Sequence, residues 1–151
     1  MQSSIVCGVD GSRDSKAVVA VAAELAKELD ARLVLAHVTD HALAYAVVGP
    51  LATMPRPAPR VTIEAVNEAA EQLLADLAEA VELDNVEQRV VSGNAAERLA
   101  ELAEEEAADL IVVGSRGRGA FKAAFLGSVS NELIGLARCP VLVIPRSVHG
   151  S

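Results

Sequence analysis

The chain is nearly without aromatic residues: two Phe, one Tyr and no Trp among 151 residues. Aromatics that could flank an isoalloxazine ring are missing, so a flavin role is disfavoured. Any core must be built from Ala, Val, Leu and Ile, which suits Ala-faced helices lying close on a Val/Ile sheet. Cysteine is scarce as well. Cys7 and Cys139 sit in apolar, strand-like surroundings and read as buried small hydrophobes in a reducing compartment, with a disulfide or a reactive thiol as the minor alternative. No run approaches the roughly 18 apolar residues of a membrane span. The start, Met1-Gln2-Ser3-Ser4, lacks the basic and apolar parts of a signal peptide, so a cytoplasmic protein is expected. Basic residues are outnumbered, 13 against 21 acidic, for a net charge of -8. That balance argues against nucleic acid and against an anionic membrane surface, but not against a locally bound nucleotide. Histidine is too sparse for a zinc centre: His37 and His41 straddle a strand end around Asp40, and no Cys or further His supports them.

What the chain does have is alternation. Apolar runs at Ile5–Val9, Arg32–Val38, Val86–Val91, Leu110–Val113 and Pro140–Ile144 read as strands. Helical periodicity fills the intervals. The first helix, capped by Ser12 or Ser15, runs to about Leu29 with Val18, Val21, Ala22, Leu25 and Leu29 on one face. The second spans 61–81 with Val66, Ala70, Leu73, Leu74 and Leu77 in a stripe. The third, Ala95 to about Ala107, follows a Gly93-Asn94 turn and N-cap with Glu97 in capping-box position; its acidic outer face reads as solvated. The fourth is Ser128–Ala137. Between Thr39 and Arg60 lies a proline-rich stretch with no period, expected to be a flexible loop, a lid or a partner surface. The tail from Ser147 to Ser151 is polar. No repeat or domain boundary is visible. The expectation is therefore one α/β domain over 1–151: a doubly wound, parallel, five-stranded sheet with helices on both faces.

The most informative segment begins at Gly114-Ser115-Arg116-Gly117 and resumes, after residues 118–126, at Gly127-Ser128. It leaves a Val-Val strand and enters a helix, the context in which α/β proteins hold phosphate. Main-chain amides approach an anion only where no Cβ intervenes, and a helix start adds unpaired donors. Arg116, Arg118 and Lys122 lie within the segment and no carboxylate does. It is not a Walker A loop, and it lacks the third glycine and the first-strand position of the dinucleotide fingerprint. An ordinary flexible loop before a capped helix is the plain alternative. If the first and fourth strands are neighbours, the Asp10 turn and this loop open on one crevice.

The spacing Gly-x-x-Gly, nine residues, Gly-Ser resembles the nucleotide motif of universal stress proteins, matched by Gly114, Gly117, Gly127 and Ser128. The opening Ile5-Val6-Cys7-Gly8-Val9-Asp10-Gly11-Ser12, the strand ending Ala36-His37-Val38, the turn Gly93-Asn94-Ala95-Ala96 and the ending Ala137 to Pro145 are similar to that family too. The resemblance implies a Rossmann-like fold of the adenine nucleotide alpha hydrolase type. It also implies a site for ATP, or for ADP or AMP. Asp10 would approach the ribose and the metal–phosphate region, with Mg²⁺ accompanying the nucleotide. Gly8, Val9 and Val38 would border adenine. Gly114, Ser115, Arg116 and Gly117, with Gly127, Ser128, Val129 and Ser130, would hold ribose and phosphates. Members of the family usually dimerise through the last strand, here Val141, Leu142, Val143 and Ile144. Asp10 as a simple turn residue and Val38 as a simple core residue remain open readings. The function so implied is a nucleotide-dependent sensor or regulator in stress response and not a catalyst. A slow Mg²⁺-dependent ATPase and a dimeric interaction module without nucleotide are the alternatives.

Overall fold

In the computed structural model, residues 2–40, 62–115 and 127–146 are described. Five strands, β1 (Ser4–Gly8), β2 (Arg32–Thr39), β3 (Val86–Ser92), β4 (Leu110–Gly114) and β5 (Val141–Ile144), form one sheet in the order β3-β2-β1-β4-β5. Every neighbouring pair is parallel. Four helices alternate with them among the described residues: α1 (Ser15–Glu28), α2 (Ile63–Glu79), α3 (Ala95–Glu105) and α4 (Ser128–Leu136). The expected doubly wound architecture is thus the observed one.

Strand alternation divides the core in two. Ile5, Cys7, Leu33, Leu35 and Val112 face α1 and α2, while Val6, Val34, Ala36, Ile111 and Val113 face α3 and α4. Central strands buried on both faces need apolar residues at every position, which is why these segments read as unbroken hydrophobic runs. Each fully buried Leu or Ile contributes about 1.5–3 kcal/mol. Short alanines let α1 lie close on the sheet, and they move its seam. The buried apolar residues are Val18, Val19, Ala22, Ala23 and Ala26, whereas Val21 and Leu25 are only half-buried and Leu29 is exposed. The expected stripe is therefore rotated about one residue, because Ala23 and Ala26 occupy the close contact and the bulkier side chains flank it.

Caps account for two helix starts. Thr62 Oγ1 accepts from Ala65 N at 3.0 Å, and Asn94 Oδ1 accepts from Glu97 N at 3.0 Å, as the Gly93-Asn94 turn predicts. At α1 the expectation fails. Asp14 holds the N-cap position with no side-chain cap, Ser15 is the first helical residue, and Ser12 lies in the preceding turn. The acidic face of α3 is solvated as expected at Glu97, Glu101, Glu104 and Glu105, and Glu106 is the exception. The Glu106 side chain is only 11% exposed and bridges Arg32 (2.7 Å) and Arg89 (2.5 Å), while Glu104 meets Arg138. Guanidinium groups from β2 and β3 thereby neutralise carboxylates that would otherwise crowd the negative end of α3. Beside Glu106, Arg32 is held still more firmly in its charged form. The two cysteines are unpaired; Cys7 is buried, but Cys139 is only half-buried at the turn before β5. No described helix is long and apolar enough to cross a membrane.

Candidate functional site

β1 and β4 are central neighbours, with Val6 opposite Ile111. The chain leaves β1 towards α1 on one face, and it reaches β4 from α3 on the other. This is the point where winding reverses, so a crevice opens beyond the carboxyl ends of β1 and β4. Two segments form its walls.

The first wall is the turn after β1. Gly11 adopts φ +81, which bends the chain so that Asp10 Oδ1 accepts from Ser12 N at 2.9 Å and from the Ser15 hydroxyl at 3.3 Å. One carboxylate oxygen of Asp10 therefore serves the turn, as the plainer reading of that residue has it. Val9 is similarly engaged: its N–H donates to Ala36 O at 2.9 Å, and its carbonyl accepts from His37 Nδ1 at 2.7 Å. Because a carbonyl only accepts, that contact puts the proton of a neutral His37 on Nδ1. Gly8 has a packing reason to lack a side chain. A Cβ there would meet Leu99 Cδ1 at 2.7 Å, so Gly8 lets α3 approach the sheet. Val38 is half-buried and packs on the α3 side of the core.

The second wall joins both halves of the glycine segment. Ser115 N donates to Ile144 O at 2.7 Å, and Ser115 O accepts from Gly127 N at 2.6 Å and from the Ser130 hydroxyl at 3.2 Å. The end of β4 and the start of α4 are thus tied directly, with residues 116–126 between them. Arg116 and Gly117 lie in that stretch, outside the described residues, as do Arg118 and Lys122. Gly127 is the N-cap of α4 in extended conformation and offers no side-chain cap; the first intrahelical bond runs from Asn131 N to Gly127 O at 3.0 Å. The amides of Ser128, Val129 and Ser130 consequently head α4 without a capping side chain, the donor set an anion uses. Ser128 is exposed and Val129 half-buried, whereas Ser130 is 2% exposed with its hydroxyl directed at Ser115 O and Gly127 O (3.1 Å).

One residue at this crevice escaped the sequence reading. Arg146 N donates to Ser115 Oγ at 3.1 Å, and its guanidinium reaches Asp14 on the α1 side. The only sequence signal was a cation just after the last strand, and strand order is needed to see where that strand ends. Elsewhere, a cleft of about 370 Å³ lies between α2 and β3, lined by Glu71, Leu74, Gln88, Arg89 and Val90; it is at the far edge of the sheet and separate from these walls. Among the described residues, no cluster of three or more His, Cys, Asp or Glu could hold a metal ion.

Fold and crevice together define a doubly wound α/β protein with a helix start lacking a side-chain cap at its switch point. Comparison with known proteins gives the family. The universal stress protein family profile matches residues 1–145, and the chain belongs to that family. It is 31% identical over 144 residues to a universal stress protein of Thermus aquaticus, covering 95% of this chain and 99% of that one. Among solved structures, a universal stress protein in complex with cAMP is 28% identical with TM-score 0.66, covering 97% of this chain and 98% of that one. A family member from Burkholderia pseudomallei is 31% identical with TM-score 0.67, covering 95% and 96%.

Proposed function

We propose that this chain is an adenine-nucleotide-binding universal stress protein, a cytoplasmic, dimeric sensor or regulator whose ligand is ATP or its shorter relatives. The observation that carries the reading is the junction of Ser115 with Gly127 and Ser130. It brings the end of β4, with Gly114, to Gly127 at the start of α4, which lacks a side-chain cap, beside the strand that leads into the Asp10 turn. The similar protein that binds cAMP supports an adenine ligand. In this reading the amides of Ser128, Val129 and Ser130, with Gly114 to Gly117 and Gly127, take the ribose and phosphates. Gly8, Val9 and Val38 offer main-chain and apolar surface to the base. The Asp10 oxygen not used by the turn meets the ribose or a nucleotide-bound Mg²⁺.

Regulation and not catalysis is supported by how the acidic groups are used. Hydrolysis needs a group to orient water at the terminal phosphate. Asp10 Oδ1 is committed to Ser12 and Ser15. A nucleotide that prefers one arrangement of the loops shifts its population, and that shift is the signal. The dimer would form along β5, an edge strand whose residues 141–144 are all half-buried in the isolated chain, near exposed Ile134 and Leu136 of α4.

Titration calorimetry with ATP, ADP, AMP and cAMP tests the binding. Wild-type protein should bind at least one of them, and Gly117→Leu should abolish binding while keeping the urea midpoint. Unchanged affinity in that variant sinks the assignment.

A further inference from the structure

Arg146 stands two residues beyond β5 and outside the glycine segment, yet it makes contact at both ends. Its main-chain N–H donates to Ser115 Oγ at 3.1 Å, on the residue that ties β4 to the start of α4. Its Nε lies 3.7 Å from Asp14 Oδ2, at the start of α1. A single side chain therefore runs from the β4–β5 side of the crevice to the Asp10–Ser15 turn on the other.

The far attachment is weak. A separation of 3.7 Å exceeds hydrogen-bond range, and the two side chains keep 51% and 24% of their exposure. Exposed pairs of this kind contribute little, so the guanidinium can leave Asp14 readily. Guanidinium is also better matched to phosphate, whose oxygens accept its parallel donors two at a time. A monophosphate seated on the α4 amides is satisfied by main chain. A triphosphate carries further negative charge outward, towards the rim where Arg146 is anchored.

We propose that Arg146 contacts the outer phosphates of a bound nucleotide, exchanging Asp14 for them, and so sets the preference for triphosphate over monophosphate. This rests on the adenine-nucleotide reading above. The exchange would also couple ligand length to the junction of β4, β5 and α1, since Arg146 joins all three.

Calorimetry with Mg²⁺-ATP and with AMP tests the proposal on four proteins: the native chain, Arg146→Gln, Asp14→Asn and the charge control Lys27→Gln. Lys27 lies in the last turn of α1, remote from the crevice. Arg146→Gln should weaken ATP binding by roughly tenfold, the loss of a charged hydrogen-bonding group, with AMP unchanged within about twofold. Asp14→Asn should tighten ATP because the competing carboxylate is gone, and Lys27→Gln should change neither nucleotide. An ATP-to-AMP affinity ratio unmoved by Arg146→Gln overturns the proposal, and so does weaker ATP binding in Asp14→Asn. If the native chain binds neither nucleotide, the adenine-nucleotide reading itself fails. Binding with an unmoved ratio removes only the role of Arg146.

Discussion

Gly8→Ala is the sharpest test of how the sheet receives α3. The added Cβ would stand 2.7 and 3.1 Å from the two Cδ atoms of Leu99 and 3.3 Å from Val113 Cγ1. Carbon atoms prefer about 3.5–4.0 Å, so the nearest contact is too close by roughly 0.8 Å or more. Leu99 is 3% exposed within a cluster that includes Ala36, Val113 and Leu133, and it has little room to turn aside. Overpacking of this sort costs about 1–3 kcal/mol. Restricting the unfolded chain returns roughly 0.4–1 kcal/mol. The net loss is then about 1–2 kcal/mol, a fall in Tm of roughly 2–8 °C for a chain of this size. Urea denaturation of Gly8→Ala, Leu99→Ala and the double variant measures it. Leu99→Ala removes both clashing atoms, so the double variant should be more stable than the summed single costs imply, by about 1 kcal/mol. Additive costs, or a Gly8→Ala protein as stable as the native one, would refute the packing argument.

Three further outcomes are expected. Asn94→Ala removes the acceptor for Glu97 N and should cost about 1 kcal/mol in urea denaturation, with Asn94→Ser restoring most of it. Burial pushes the Cys7 thiol from 9.0 up to about 12, so the folded chain holds this proton more tightly than the unfolded one. The contribution is fully present below pH 9 and is lost between about 9 and 12, at up to ~1.4 kcal/mol per pH unit; in reductant, Cys7→Ala should show a shallower alkaline loss. Finally, sedimentation should give a dimer, and Leu142→Lys on the β5 edge should shift it towards monomer; an unshifted dimer moves the interface elsewhere.

The architecture was legible because it depends on short-range pattern. Ile5 to Val9 and Leu110 to Val113 are apolar without alternation, as strands covered on both faces must be, and Gly93-Asn94 announces its own helix. Boundaries moved by a residue or two where the hydrogen bonds decide. β5 starts at Val141, since Pro140 has no N–H to give and contributes only a carbonyl, to Ile111 N at 3.0 Å. Less legible was anything joining distant segments. Arg32 and Glu106 are far apart in the chain, and only the adjacency of β2, β3 and the end of α3 explains why Glu106 is closed over by guanidinium groups. Gly8 belongs to the same class, because its missing Cβ makes sense only once Leu99 lies above it.

The crevice shows why side-chain chemistry alone was an incomplete guide to it. Asp10, Ser115 and Ser130 look like ligand groups in a linear reading, yet each is bonded to the protein first. Asp10 draws Ser12 and Ser15 into a fixed turn. Ser115 gathers β5, Gly127 and Ser130 around its own amide, hydroxyl and carbonyl. Polar side chains spent on one another hold two walls apart at a set geometry, and the groups left facing outward at α4 are main-chain amides. Amides fixed by secondary structure lose little entropy when an anion arrives, so their donors are preorganised. In the proposal above, ligand choice in such a crevice falls to charges at its rim, and among the described residues Arg146, weakly held by Asp14, has the anchorage to act there.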